Sequence, residues 1–154
     1  MKRLEKFKNP LIFAILILIV VNVLFSEYKI IYNHGTSMEP TYEDGELVIS
    51  ERVSPKSDWV PIKFEVVVIK GKGKEYLNKR VIATQGESIE IKNGIIYLND
   101  NKLSHPYAKT SRIQQVDEKK IYVPRGYVWV IGDNIEDSWY GLLPVKGIKS
   151  IIIL

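Results

Sequence analysis

The stretch SIEIKNGIIYL, residues 88–98, indicates the fold class of this chain. Ile89 and Ile91 alternate with polar residues before Asn93-Gly94, a dipeptide that favours the tight turn of a two-residue β-hairpin. β-branched and aromatic runs bounded by turn residues recur after residue 28, with no sustained helical period. We therefore predict a mainly β, antiparallel domain. Its strands are expected over 46–53, 64–69, 76–83, 88–92, 95–98, 120–123, 127–131 and 148–153, with loops over 54–63, 71–74, 99–115 and 133–144.

A single long apolar run precedes this pattern. Residues 11–25 read LIFAILILIVVNVLF, interrupted only by Asn22. Fifteen helical residues span roughly 22 Å, short of the ~30 Å hydrocarbon core of a membrane, but Pro10 and Ser26 can extend the helix and flanking lysines can reach the interface. The run is typical of a membrane anchor. A cleaved secretory signal and a buried core helix are the alternatives, although no small-x-small cleavage pair follows the run.

Charge predicts the orientation of this anchor. Residues 1–9 carry four basic residues and one acidic residue, which is +3 of the formal net charge of +4. Basic residues before a span keep that end in the cytoplasm. We predict a single-pass protein of the cell membrane with a cytoplasmic basic segment over 1–9, a transmembrane anchor over 10–27 and an extracytoplasmic domain over 28–154.

The same composition excludes several classes of protein. The part after the anchor is nearly neutral, which argues against a nucleic-acid-binding face. The chain has no cysteine and only two histidines, so neither a disulfide framework nor a common metal cluster is expected. We predict no metal, no other cofactor and no nucleic-acid partner, and about 127 residues are enough for one domain.

Residues 35–41, GTSMEPT, contain a candidate nucleophile just beyond the anchor. Gly35 permits a positive φ or a close backbone approach, and Pro40 stiffens the chain after Ser37. A serine nucleophile needs a base. His34 is close in sequence but cannot easily fold back onto Ser37. An ordinary Ser/Thr/Pro turn explains these local features equally well.

Lys79 is the alternative base. It lies in the predicted strand over 76–83, where Lys79 and Val81 share one face and Arg80 and Ile82 the other. Burial disfavours a charged lysine and lowers its pKa, as a general base near neutral pH requires. A solvated strand lysine is the plain alternative.

Three segments together resemble the conserved boxes of type I signal peptidases. Residues 37–41, SMEPT, resemble the nucleophile box S-M-x-P-T, and residues 79–82, KRVI, resemble the lysine box. Residues 132–134, GDN, resemble the start of the G-D-N box. The order of these boxes behind one N-terminal anchor is similar to the short members from Gram-positive bacteria.

This resemblance implies a membrane-anchored serine endopeptidase of signal-peptidase-like β fold, which removes signal peptides from exported pre-proteins at the bilayer. Ser37 would attack the scissile carbonyl, Lys79 would accept its proton, and the Ser37 N–H would donate to the oxyanion. Ser138 falls where relatives orient the lysine, and Arg80 would hold structure on the opposite face. Residues beside the dyad would line a shallow pocket for small side chains: Met38, Leu77 and Asn78.

The sequence also departs from the family pattern. Some relatives have a hydroxyl donor at the position of Gly35. The family continues S-x-D-S-R after its third box, with a bracing Asp–Arg pair, whereas Ser138 is followed here by WYGLLP, residues 139–144. These departures leave other functions open. They are a slow or non-catalytic relative that binds pre-proteins or membrane partners, a self-cleaving regulator, and a tethered structural β domain.

Overall fold

The computed structural model describes residues 10–53, 59–71, 75–104 and 118–154. One helix, α1, precedes eleven strands in the described parts of the chain. The helix is Pro10–Glu27, and the strands are β1 Tyr28–Tyr32, β2 Leu47–Arg52, β3 Val66–Lys70, β4 Tyr76–Ala83, β5 Ser88–Lys92, β6 Ile95–Leu98, β7 Asn101–Lys102, β8 Glu118–Tyr122, β9 Tyr127–Ile131, β10 Gly141–Pro144 and β11 Ile148–Ile152.

Helix α1 does not pack into the core. It has a mean hydropathy of 2.4, is long and apolar enough to cross a membrane, and its 18 residues span about 27 Å at 1.5 Å per residue. None of the helix is buried, so the alternative of a buried core helix is wrong. Strand β1 begins directly after the helix ends at Glu27, and the predicted cytoplasmic segment over 1–9 lies outside the described residues.

The strands form two antiparallel sheets, which confirms the predicted fold class. The larger sheet has the order β1-β2-β11-β3-β4-β9-β10, and the smaller has the order β7-β6-β5-β8. Strands β5 and β6 pair as predicted, with Lys92 opposite Ile95. Asn93 and Gly94 both have positive φ angles, 50° and 72°, as the tight hairpin turn requires.

Three strands of the structure are not predicted from the sequence. Strand β1 follows the apolar run without a break, β7 has only two residues, and β10 contains a glycine and a proline. Both β1 and β10 lie at edges of the larger sheet, where proline is tolerated because its missing N–H faces away from the ladder. The strand predicted over 64–69 begins two residues later in the structure, because Phe64 has a φ of 72° and precedes the strand.

Strand β4 is buried on both faces and separates two apolar clusters. Ile82 belongs to the cluster that joins the two sheets around Trp129, whereas Val81 packs with residues of β3, β9 and β11. A third cluster under the larger sheet contains Met38 and Val48. Lys79 and Arg80 therefore leave β4 in opposite directions into a largely closed interior, where each must find polar partners.

Candidate active site

The loop between β1 and β2 holds Ser37 at the edge of the interior. Backbone hydrogen bonds from Glu39 N to Thr36 O (3.1 Å) and from Thr41 N to Met38 O (2.9 Å) close two turns around it. The Met38 side chain is fully buried in the third cluster and fixes the loop to the sheet. Gly35 has a φ of 79°, a conformation that a residue with a Cβ rarely adopts. Ser37 is thus half-buried and well positioned.

A buried amide anchors the same loop to β4. Asn33 is 1% exposed, and its Nδ2 donates to the carbonyls of Tyr42 (3.2 Å) and Glu43 (2.8 Å). Its Oδ1 accepts a hydrogen bond of 2.9 Å from Nδ2 of Asn78, the residue before Lys79. These bonds fix the distance between the serine loop and the lysine strand.

Lys79 meets Ser37 across this junction. The lysine is 2% exposed, and its Nζ donates to Ser37 Oγ at 2.6 Å. Burial lowers the Lys79 pKa from 10.5 to about 8, while the carboxylates of Asp137 and then Asp133 oppose the shift. A neutral amine is therefore accessible near neutral pH, and its lone pair can accept the Ser37 hydroxyl proton over the same short distance.

The other candidate base lies elsewhere. His34 is exposed and packs beside Tyr32, with 6.5 Å between the ring centroids. Among the described residues, no group of three or more His, Cys, Asp or Glu side chains is placed to hold a metal ion. The groups assembled at Ser37 are thus an amine, a hydroxyl and carboxylates, which suit proton transfer and nucleophilic attack.

The segment 132–134 packs directly against the serine loop. Asn134 N donates to Ser37 O (3.1 Å), and Asn134 Nδ2 donates to Thr36 O (3.2 Å). A Cβ at Gly132 would lie 2.1 Å from Ser37 O, so only glycine allows this approach. Residues 132–134 therefore position the backbone at Ser37.

A buried ion pair braces the site from the far face of β4. Arg80 donates to both carboxylate oxygens of Asp133, from Nε at 2.7 Å and from Nη2 at 2.6 Å. Its Nη1 donates to Phe64 O at 2.6 Å, and Thr41 Oγ1 hydrogen-bonds to Asp133 as well. This pair differs from the Asp–Arg pair of the family's S-x-D-S-R sequence, which has no counterpart after Ser138.

Two residues near Lys79 were not singled out as site residues. Asp137 hydrogen-bonds to the hydroxyl of Thr36, next to Ser37, and raises the Lys79 pKa. The Trp139 ring lies over the amine, with its centroid 5.7 Å from Nζ, at the distance of a cation–π contact. Both lie in the loop predicted over 133–144, where sequence alone gives no register to align them with Lys79.

Ser138 and the predicted pocket residues lie close to this assembly with different exposures. Ser138 Oγ accepts a hydrogen bond from Gly132 N (2.8 Å) and donates to Trp139 O (2.9 Å). Met38 and Asn78 are 0% and 3% exposed, whereas Leu77 is half-buried. Contact with a substrate stays a prediction for Met38, Asn78 and Leu77. Leu77 is the most exposed of the three.

The chain resembles known proteins in sequence over most of its length. The family described as "Signal peptidase, peptidase S26" matches residues 3–148. A signal peptidase I from Bacillus caldolyticus is 35% identical, over 75% of this chain and 68% of the relative. The protein "Signal peptidase I V" of Bacillus subtilis is 27% identical, over 99% of this chain and 98% of its own length.

A solved structure shares the fold. The crystal structure of a signal peptidase I from Enterococcus faecalis superimposes with a TM-score of 0.50 at 20% sequence identity. The match covers 63% of this chain and 100% of the other. At that identity the likeness supports the signal-peptidase-like β architecture.

Proposed function

Because the chain belongs to the peptidase S26 family of signal peptidases, we propose that it removes signal peptides from exported pre-proteins with a Ser37–Lys79 dyad. One observation carries the proposal. A lysine amine that is 2% exposed contacts the hydroxyl of a serine at 2.6 Å, and burial lowers the pKa of that amine to about 8. Family membership supports the reaction, and this contact supports the assignment of the two roles.

The reaction would begin with neutral Lys79. The amine accepts the Ser37 hydroxyl proton as Oγ attacks the scissile carbonyl carbon. The Ser37 N–H donates to the oxyanion of the tetrahedral intermediate. The charged amine then returns its proton to the leaving amine of the mature protein, and water hydrolyses the acyl-enzyme in a second cycle with Lys79 again as base. No metal or organic cofactor enters this sequence.

The surrounding carboxylates would stabilise the protonated, positively charged form of Lys79. Asp137 and Asp133 both favour the charged form of Lys79. They would lower the free energy of the lysinium that forms with the oxyanion, while burial keeps a neutral fraction available. The balance would place the working pKa near 8 instead of far below it.

The substrate would bind as an extended strand at the edge formed by the serine loop and the start of β4. Leu77 would contact a small side chain next to the scissile bond, while the buried Met38 and Asn78 would hold the serine loop and β4 in place. Ser138 would position the backbone near Lys79 through its hydrogen bond with Gly132.

The helix α1 would anchor this domain in the cell membrane. We propose a cytoplasmic segment over 1–9, a single span over 10–27 and an extracytoplasmic catalytic domain over 28–154. Protease added to spheroplasts should digest the part after Tyr28. Protection of that part would overturn the orientation, and a mature N-terminus near Ser26 would identify a cleaved signal.

Cleavage of a pre-protein by the detergent-solubilised full chain tests the dyad, with mass spectrometry to locate the bond. Ser37→Ala and Lys79→Ala should each lower kcat/KM at least a thousandfold, and the double variant should be no worse than either, because the two groups act as one unit. His34→Ala, on an exposed ring nearby, is the matched control and should retain activity. Appreciable cleavage by Lys79→Ala with loss in His34→Ala would move the role of base to His34. No cleavage by the parent chain would favour the non-catalytic alternative.

A further inference from the structure

One end of the larger sheet lies next to α1. Strand β1 begins at Tyr28, directly after the helix, and β2, β11, β3 and β4 follow it across the sheet in antiparallel order. The end of β2, the start of β11, the end of β3 and the start of β4 therefore lie on the helix side. Basic residues occupy this end of four adjacent strands: Lys29, Arg52, Lys149 and Lys70.

Three of these cations surround one cavity, which we call the basic notch. Its volume is about 20 Å³, and Lys29, Arg52 and Lys149 line it together with Tyr76 and Ser150 over an apolar floor. A space of this size holds about one water-sized group, such as a single phosphate oxygen. The three cations come from three different strands, so the sheet itself sets their separation.

The register of the sheet explains why these side chains converge. Lys29 pairs with Ser50, and Arg52 lies two residues further along β2 on the same face. The pairing of β11 with β3 shifts between Ile148 and Ser150, a bulge-like irregularity at Lys149. A bulge changes the direction in which a side chain points. At this irregularity Lys149 lies at the notch, instead of on the opposite face of the sheet.

Among the described residues that line the notch, none is acidic. The ion pairs within the described ranges join Lys63–Glu87, Arg80–Asp133, Lys92–Glu90 and Lys120–Asp100, so none includes a cation of the notch. Glu51 is next to Arg52 in sequence, but strand alternation directs it to the other face. Like charges held close together repel, and a bound anion would relieve that repulsion.

We propose that the basic notch binds the phosphate of an anionic phospholipid headgroup. The inference rests on the proposed anchoring of α1 in the membrane. Lys29 is two residues beyond the end of the apolar helix, which would place it at headgroup level. Each basic residue there strengthens binding to an anionic surface about fivefold, an effect confined to roughly a Debye length. A lipid phosphate thus matches the notch in charge, size and position.

Native mass spectrometry of the full chain in neutral detergent tests this proposal. Phosphatidylglycerol and phosphatidylcholine are added separately, and the retained lipid is counted. The parent chain should retain phosphatidylglycerol preferentially. The triple variant Lys29→Gln, Arg52→Gln, Lys149→Gln should bind it about a hundredfold more weakly. A matched control removes two lysines and one arginine elsewhere, Lys102→Gln, Lys119→Gln, Arg125→Gln, and should bind within about threefold of the parent, since these exposed residues lie outside the notch.

Further variants and a competitor separate the possible outcomes. Lys29→Arg, Arg52→Lys, Lys149→Arg keeps all three charges and should keep lipid binding, which guards against a triple variant that merely unfolds. Equal retention of phosphatidylglycerol by the parent and the triple variant would overturn the site. Displacement of the lipid by equimolar inorganic phosphate would also overturn it, in favour of a free-phosphate site. Cleavage of a pre-protein without added anionic lipid is measured in parallel, so the proposed peptidase function is tested separately.

Discussion

The two sheets of this molecule differ in where their charged side chains lie. The four-stranded sheet keeps its ion pairs at the surface, where Lys92 and Lys120 meet their partners with 54% and 31% of their side chains exposed. The seven-stranded sheet buries Lys79 and the Arg80–Asp133 pair, whose side chains are 8% and 2% exposed. Surface pairs contribute about 0–1 kcal/mol, whereas breaking a buried pair costs about 3–5 kcal/mol.

The smaller sheet therefore contributes mainly to stability, whereas the larger sheet also holds the candidate site. Ile89, Ile91 and Ile96 of the smaller sheet join Trp129 of the larger one in an apolar cluster, and burial of each such side chain contributes about 1.5–3 kcal/mol. The interior around β4 carries a lysine with a lowered pKa and a closely packed glycine, both of which favour reactivity over stability. We therefore expect substitutions around β4 to change activity and stability independently, and those in the smaller sheet to change little beyond stability.

Outside the Ser37–Lys79 pair itself, the largest loss of activity is expected at Gly132. Gly132→Ala would place a Cβ 2.1 Å from Ser37 O, so the serine loop must move and the Ser37–Lys79 contact must lengthen. Misplacement by about 1 Å can lower a rate a hundredfold, and we expect at least that loss in kcat/KM. Gly147→Ala is the control, because its new Cβ would meet Pro144 at an ordinary 3.8 Å. Equal rates for the two variants would mean that the approach of Gly132 does not position the nucleophile.

Removal of one partner from each kind of ion pair tests the contrast in stability. Arg80→Met leaves Asp133 buried without its bidentate partner and should lower the free energy of unfolding by about 3–5 kcal/mol. Lys92→Met in the smaller sheet should change it by less than about 1 kcal/mol. Urea denaturation measures both. Similar losses in the two variants would remove the distinction between the sheets.

Lys79→Met should stabilise the protein while abolishing cleavage. The Lys79 pKa is about 8 in the folded chain against an ordinary value of 10.5, so folding penalises the charged amine by about 3 kcal/mol. This free-energy penalty applies in full below pH 8, where Lys79 is protonated in both the folded and the unfolded chain. It disappears as the pH rises to 10.5. The gain in unfolding free energy should follow the same window in a series of melts. A gain that does not vary with pH would assign it to packing instead of desolvation.

The smallest effect is expected at Ser138. Ser138→Ala removes the hydroxyl that accepts from Gly132 N and donates to Trp139 O, and a lost hydrogen bond of this kind is typically worth about 0.5–1.5 kcal/mol. We expect kcat/KM to fall about three- to tenfold, with an unchanged apparent pKa near 8. A displaced pH profile with an unchanged melting temperature would show that Ser138 acts on Lys79 directly. An unchanged rate would assign Ser138 to the surface turn.

The sequence predicts the framework of the site better than its surroundings. Strand alternation correctly separates Lys79 from Arg80, and the Asn93-Gly94 turn correctly predicts the hairpin. The Arg80–Asp133 pair joins residues 53 positions apart and depends on the pairing of β4 with β9, which no local pattern specifies. Likewise Asp137 reaches the site only because a short 3₁₀ turn follows Asn134. Local periodicity predicts a strand, whereas side chains supplied by loops depend on tertiary packing.

The position of β11 in the larger sheet has a consequence for the order of folding. Ile148–Ile152, the final strand in sequence, lies between β2 and β3 and pairs with both. Strand β2 follows the serine loop and β3 precedes the strand of Lys79, so the sheet between Ser37 and Lys79 is complete only when β11 pairs with both. During synthesis, Ser37 is made more than a hundred residues before this strand. Such long-range pairing folds slowly, and we expect the contact between Ser37 and Lys79 to form only after β11 pairs with β2 and β3.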